Sequence, residues 1–138
     1  MVVLQSRIRE HDNLIHIDVQ QDLPVIYGDR PRLMEVLQNL IENAIKYTPA
    51  NGKIALMLER LDRKLTLRVS DTGCGISVVD LPKIFDRFYR SSCNRTTFDG
   101  AGLGLAIVKK ILDLHGEKIQ VESQENVGTI FSFSLPLN

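Results

Sequence analysis

The stretch "KIALMLERLDRKLTLRVSDTGCGI", residues 53–76, holds two alternating apolar runs joined by the polar residues "DRK". The apolar members of the runs are Ile54, Leu56 and Leu58, then Leu65, Leu67 and Val69. Apolar residues at every second position are typical of a strand with one buried face, and the short polar link predicts a β-hairpin. The segment "DTGCGI" follows the second run directly, so Asp71 is expected at the carboxyl end of a strand.

The segments on either side of this hairpin predict the remaining elements. "NLIHIDVQ" alternates like a strand with His16 on its solvent face, and Asp29 with Pro31 begins a helix from about Pro31 to Tyr47. Downstream, "LPKIFDRFYR" is a short amphipathic stretch, a helix covers Leu103 to about Leu114, and "HGEKIQVES" and "GTIFSFSLP" predict two strands. We therefore expect an α+β, two-layer sandwich, in which a mixed β-sheet of about five strands is covered on one face by three or four helices.

The composition is that of an ordinary globular domain. The chain has 138 residues, of which 43% are hydrophobic and 25% charged, so we expect a single domain over residues 1–138. Seventeen basic residues balance seventeen acidic ones, which gives no support to bulk binding of nucleic acid. No apolar run approaches the roughly 18 residues of a membrane span, so we expect no direct membrane contact.

The first residues indicate how much of the protein this chain represents, and the two cysteines indicate its cellular location. Because the first residues already have helical apolar spacing, we expect the chain to be a fragment of a longer protein. Cys74 and Cys93 lack metal-ligand spacing, so both are predicted to be free thiols in a reducing, cytoplasmic location.

One face of the first predicted helix is polar. At 3.6 residues per turn, Asn39, Asn43 and Lys46 lie on one stripe with Tyr47 beside it, roughly opposite the leucines. Asparagine is a mediocre helix former, so two of them one turn apart need a reason. Their amide oxygens suit magnesium, but a solvated polar face explains the pattern equally well.

Two glycine-bearing segments have features of a ligand site. In "DTGCGI", the carboxylate of Asp71 suits an exocyclic amine such as that of adenine, and Gly73 and Gly75 let the backbone approach a flat ligand. An ordinary turn is the alternative.

"DGAGLGLAIV", residues 99–108, places Gly100, Gly102 and Gly104 immediately before a helix, where backbone amides hold phosphate groups. A dinucleotide-binding βαβ unit needs a strand before the first glycine, whereas the preceding "YRSSCNRTTFDG" is polar. A phosphate cradle and a glycine-rich hinge both remain open.

The order of these segments resembles the catalytic ATP-binding domain of sensor histidine kinases, whose motifs are called the N, G1, F and G2 boxes. The resemblance covers nearly the whole chain and implies the fold of the superfamily that includes gyrase and mismatch-repair ATPases, with a mobile ATP lid. It implies ATP and Mg²⁺ as cofactors, with Asn43 as the magnesium ligand, and Phe85 and Phe88 at the hinge of the lid. The resemblance assigns the following residues to nucleotide binding: Asn39, Asn43, Lys46, Tyr47, Asp71, Gly73, Gly75, Ile76, Arg90, Gly100, Gly102, Leu103 and Gly104. Arg95 is the alternative to Arg90 as the arginine near the phosphates.

The resemblance also implies a reaction and partners. Asn39, Asn43 and Lys46 would be the catalytic residues of a protein-histidine kinase that phosphorylates a histidine on its own N-terminal dimerisation domain, absent from this chain. The phosphoryl group would pass to the receiver domain of a response regulator. None of His11, His16 and His115 has the setting of the substrate histidine, and His115 is predicted to cap a helix end. The alternatives are a non-kinase ATPase of the same superfamily and a degenerate nucleotide-binding regulatory module.

Overall fold

The fold was analysed in a computed structural model, which describes residues 14–19, 29–49, 52–87 and 104–136. Its strands are β1 (Leu14–Val19), β2 (Lys53–Leu61), β3 (Lys64–Asp71), β4 (Gln120–Gln124) and β5 (Gly128–Pro136). Its α-helices are α1 (Arg30–Tyr47) and α2 (Gly104–Leu114), and Leu81–Lys83 form one 3₁₀ turn. The predicted α+β fold is confirmed.

The sheet has the strand order β1-β2-β3-β5-β4. The four strands β2, β3, β5 and β4 pair antiparallel, and β1 adds to the edge of β2 in parallel, so the five-stranded sheet is mixed as predicted. The predicted hairpin is formed by β2 and β3, whose tight turn places Asp62 at φ 59°. Strand β5 inserts between β3 and β4, which brings the start of β5 beside the end of β3.

The core-facing side chains of the sheet form rows across the strands. One row consists of Leu56, Val69, Phe131 and Val121, all buried or partly buried. The next row toward the end of β3 consists of Ile54, Asp71, Thr129 and Ser123. The same face of the sheet therefore changes from apolar to polar at the carboxyl end of β3.

Helix α1 begins with the predicted cap. The Asp29 carboxylate accepts a hydrogen bond from Arg32 N at 3.3 Å, and Pro31 lies in the first turn, where its missing N–H costs nothing. The buried face consists of Val36, Leu37, Leu40, Ile41, Ala44 and Ile45. These residues pack on the sheet and on α2, so the polar face of α1 points away from the leucines as expected.

Helix α2 ends in a Schellman motif. Glu117 N donates to Leu112 O at 2.9 Å, Gly116 N donates to Asp113 O at 3.0 Å, and Gly116 takes φ +73°. His115 contacts the last turn as predicted, with Nδ1 2.9 Å from Ile111 O. The ring also makes a hydrogen bond that the sequence does not predict. Its Nε2 accepts from Asp29 N at 3.2 Å, which connects the end of α2 to the start of α1.

The described residues contain two α-helices, fewer than the three or four expected for the whole chain. The described part of "LPKIFDRFYR", residues 81–87, is not an α-helix but a 3₁₀ turn followed by further turns. Pro82 has no N–H, and the local bonds run from residue i to i−3, as from Lys83 N to Asp80 O at 2.8 Å. Ile84 is buried and Phe85 packs edge-on against Phe131 at 6.4 Å, so both serve the core.

Candidate functional site

The polar face of α1 is partly buried and ordered by its own contacts. Asn39 Nδ2 donates to Glu35 O at 2.9 Å, one turn earlier, which orients the amide. Lys46 Nζ lies 5.0 Å from the centre of the Tyr47 ring, within the range of a cation–π contact. The half-buried side chain of Asn43 makes no hydrogen bond to any other described residue.

Asp71 ends β3 on the helix-covered face of the sheet, beside Thr129 of β5. Its Oδ1 accepts a hydrogen bond from Gly73 N at 2.8 Å. Burial raises the pKa of Asp71 from 3.8 to about 6, although hydrogen bonds from the backbone of Gly73 and Thr129 act in the opposite direction. Above pH 6 the group is a carboxylate that only accepts hydrogen bonds.

The loop after Asp71 is held between α1 and the β4–β5 turn. Cys74 N donates to Tyr47 O at 3.2 Å, and Asn126 N donates to Cys74 O at 2.8 Å. A Cβ added to Gly73 would collide with Tyr47 O, and one added to Gly75, which has φ +71°, would collide with the backbone of β4. Both glycines therefore allow close approach of neighbouring backbone, and the predicted approach of a ligand to this loop stays a prediction.

The prediction that both cysteines are free thiols is wrong. Cys74 is disulfide-bonded and buried within the glycine loop. The only other cysteine of the chain, Cys93, lies outside the described residues. Sequence spacing gave no indication of this bond because a disulfide depends on proximity in the fold.

Two polar side chains behind Asp71 were missed by the sequence analysis. Thr129 is 6% exposed, and its hydroxyl lies 2.8 Å from Ser123 Oγ, which also accepts from Ile76 N at 2.8 Å. The usable signal was the alternation in "GTIFSF", which places Thr129 in phase with the buried Phe131 and Phe133. A hydroxyl on the core-facing side of a strand needs a polar partner.

The segment "DGAGLGLAIV" is described only from Gly104 onward. Gly104 is the first residue of α2, and a Cβ placed there would lie 3.2 Å from Asn39 Oδ1. The predicted residues Arg90, Arg95, Phe88, Gly100, Gly102 and Leu103 lie outside the described residues, as does the helical pattern at the N-terminus.

The polar face of α1 therefore connects two of the predicted motifs. Tyr47, at its end, contacts the loop after Asp71, while Asn39, two turns earlier, lies next to Gly104, where an added Cβ would be 3.2 Å from Asn39 Oδ1. At 1.5 Å per residue, these two contacts are about 12 Å apart along the helix axis. Asn43 lies between them. An elongated ligand with an amine at one end and anionic groups at the other matches this arrangement.

Comparison with known proteins decides the family. Residues 28–138 match the model of the family described as histidine kinase-, DNA gyrase B- and HSP90-like ATPase. The chain belongs to this family. The nucleotide that this ATPase domain binds is ATP.

The relatives of this ATPase domain are sensory kinases. It is 43% identical over 121 residues to the adaptive-response sensory kinase SasA of Thermosynechococcus vestitus, a match that covers 87% of this chain and 32% of the relative. It thus spans about a third of the length of that curated relative.

Solved structures agree with this assignment. A mycobacterial sensor histidine kinase, MprB, matches with a TM-score of 0.84 and 29% identity, covering 97% of this chain and 90% of that one. Histidine kinase ThkA, in complex with the response regulator protein TrrA, matches with a TM-score of 0.80 and 33% identity, covering 99% and 38%.

Two further observations limit the chemistry of the ATPase domain. Among the described residues there is no group of three or more His, Cys, Asp or Glu side chains that could hold a metal ion. No helix within the described ranges has the length and apolar character needed to cross a membrane.

Proposed function

We propose that this domain binds Mg²⁺-ATP and transfers the γ-phosphoryl group to a histidine of a separate helical dimerisation domain. The observation that carries the proposal is the polar face of α1, which runs from the loop beside Asp71 to the start of α2 at Gly104. This arrangement supports a nucleotide with its base at Asp71 and its phosphates near Asn39.

The residues divide into a base end and a phosphate end. Asp71 accepts a hydrogen bond from the exocyclic amine of adenine. The pocket around the base is shaped by Tyr47, Gly73, Gly75 and Ile76. At the other end, Asn43 is the magnesium ligand, and Asn39 and Lys46 lie near the phosphates. Arg90, Gly100, Gly102, Leu103 and Gly104 complete the phosphate end in this proposal.

Magnesium would neutralise phosphate charge, which is a main requirement of phosphoryl transfer. The half-buried Asn43 amide fits this ion, because a neutral oxygen ligand leaves room for phosphate oxygens and water in the coordination shell. Lys46, half-buried one turn after Glu42, brings a positive charge to the same face. Holding the reactants in line and neutralising their charge needs no covalent step by the protein.

Transfer to a protein is favoured over hydrolysis by water. The gyrase branch of the superfamily uses a glutamate one helical turn before the magnesium asparagine to activate water. Asn39 occupies that position, and its amide has no basic group and is already bonded to Glu35 O. The regulatory-module alternative is disfavoured because Asn43 and Asp71 are both present.

The partners follow from the length of the relatives and from one complex. Because the chain spans about a third of SasA, we assign the phosphoacceptor histidine to an N-terminal domain outside this sequence. A receiver domain of a response regulator is the second partner, in line with the complex of ThkA with TrrA. We place the domain in the cytoplasm, without direct contact to nucleic acid or membrane, on the basis of the proposed kinase function and not of its cysteines, since Cys74 is disulfide-bonded.

Calorimetric titration with a non-hydrolysable ATP analogue, with and without magnesium, tests the site. Asn43→Ala should remove the gain in affinity that magnesium produces in the intact domain and leave the magnesium-free affinity within about twofold. Gln38→Ala, which removes an amide from a neighbouring position of α1, is the matched control and should bind normally. An unchanged magnesium effect in Asn43→Ala would exclude Asn43 as the ligand, and no binding by the intact domain would exclude the proposed function.

A further inference from the structure

Ser123 of β4 stands at the centre of a small hydrogen-bond network behind the base end of the site. Its Oγ donates to Gly128 O at 2.9 Å, accepts from Ile76 N at 2.8 Å, and lies 2.8 Å from the Thr129 hydroxyl. Three different segments of the chain therefore meet at one oxygen atom. They are the glycine loop, β4 and the start of β5.

The proton count at this oxygen determines the orientation of the neighbouring hydroxyl. Gly128 O is a carbonyl that can only accept, so the single proton of Ser123 points to it. The contact between Ser123 and Thr129 then requires the proton of Thr129, and Ser123 accepts it. The oxygen of Thr129 is left with lone pairs only.

Thr129 lies beside Asp71 on the same face of the sheet, because the two residues are register partners on neighbouring strands. With Asp71 ionised, both groups at this end of the site offer acceptors and neither offers a donor. An exocyclic amine, as in adenine, satisfies such a pair, whereas a carbonyl oxygen at the same ring position meets only lone pairs.

We propose that Ser123 is a positioning residue that determines purine selectivity: it orients the Thr129 hydroxyl as an acceptor and fixes the Ile76 backbone over the base pocket. This inference rests on the proposed function. Without the Ser123 hydroxyl, the Thr129 proton can rotate toward a ligand, and the pocket then tolerates a carbonyl. Ser123 itself makes no contact with the nucleotide in this account.

The test compares binding of ADP and IDP to purified variants of this domain. Their bases differ by an amine and a carbonyl at position 6 and, with it, by an acceptor and an N–H donor at N1. The intact domain should prefer ADP, and Ser123→Ala should lower the ratio of the two affinities about tenfold. A residue of merely structural importance would weaken both nucleotides equally. Ser123→Thr keeps the hydroxyl and should retain the preference for ADP.

Ser134→Ala is the matched control. Ser134 pairs with Thr66 at 3.0 Å in the same sheet, so this variant loses a hydroxyl pair of the same kind away from Asp71 and should keep the preference for ADP. If Ser123→Ala does not fold, Ser123→Cys keeps the volume with a weaker donor and should give an intermediate ratio.

An unchanged ADP-to-IDP ratio in a folded Ser123→Ala or Ser123→Cys domain overturns the role of Ser123 and leaves the proposed function intact. Failure of the intact domain to bind either nucleotide overturns both.

Discussion

Replacing Asp71 by asparagine should make the nucleotide-free domain more stable and at the same time a weaker binder. Burial raises the pKa of Asp71 from 3.8 to about 6. Above pH 6 the folded domain therefore contains a buried carboxylate, which lowers its free energy of unfolding. The shift of about 2.2 units corresponds to at most about 3 kcal/mol at 1.36 kcal/mol per unit. Asparagine avoids this cost, and its carbonyl can still accept from Gly73 N.

The sign of the pH dependence follows from proton binding. Between about pH 4 and pH 6 the folded state binds more protons at Asp71 than the unfolded state, so the intact domain loses stability as pH rises through this window. Asp71→Asn lacks this loss. Its free energy of unfolding should exceed that of the intact domain by up to about 3 kcal/mol at pH 7.5, by about half of that at pH 5, and by almost nothing near pH 3.5.

Urea unfolding of the intact domain and of Asp71→Asn at pH 5 and pH 7.5 measures this difference. Adenosine titrations followed by NMR measure binding, since the phosphates of ATP titrate near the same pH. Asparagine turns a donor toward the adenine amine, so binding at pH 7.5 should fall about 100-fold, equivalent to about 2.7 kcal/mol. If Asp71→Asn is less stable than the intact domain at pH 7.5, the carboxylate of Asp71 does not destabilise the fold; if it binds adenosine equally well, Asp71 does not accept from the adenine amine.

The remaining predictions concern the phosphate end, the glycine loop and the helix ends. Lys46→Met should weaken ATP about tenfold and AMP less than twofold in calorimetry, because it removes a charge from the phosphate end only. Gly75→Ala should lower the free energy of unfolding by about 3 kcal/mol or more, because a Cβ at this position collides with backbone. Gly116 has a similar left-handed φ but open space around it, so Gly116→Ala should lower the free energy of unfolding by only about 1 kcal/mol. His115→Ala removes the bond to the start of α1 and should cost about 1 kcal/mol in urea unfolding, while the exposed His16→Ala should change nothing.

The parts of the fold that depend on neighbours in sequence could be predicted. Alternation located the five strands, and the cap at Asp29 located the start of α1, because both signals are local. The stripe of Asn39 and Asn43 could be predicted in the same way, since helix geometry alone places them on one face.

The parts that depend on strand order could not. Strand β5 pairs with β3 as well as with β4, and only that order brings Thr129 beside Asp71 and Ser123 beside Thr129. The close backbone contacts of Gly73 and Gly75, and the bond from Asp29 to His115, likewise join segments far apart in the chain. Residue spacing carries no information about such contacts.

We propose that this domain is the catalytic part of a longer histidine kinase. The direct measurement is transfer of label from γ-³²P-ATP to the helical dimerisation domain of the full-length protein, comparing intact enzyme with Asn43→Ala. We expect an acid-labile, alkali-stable phosphohistidine on the helical domain that is lost in Asn43→Ala. Release of labelled phosphate with steady turnover and no labelled histidine would contradict it and identify the domain as an ATPase.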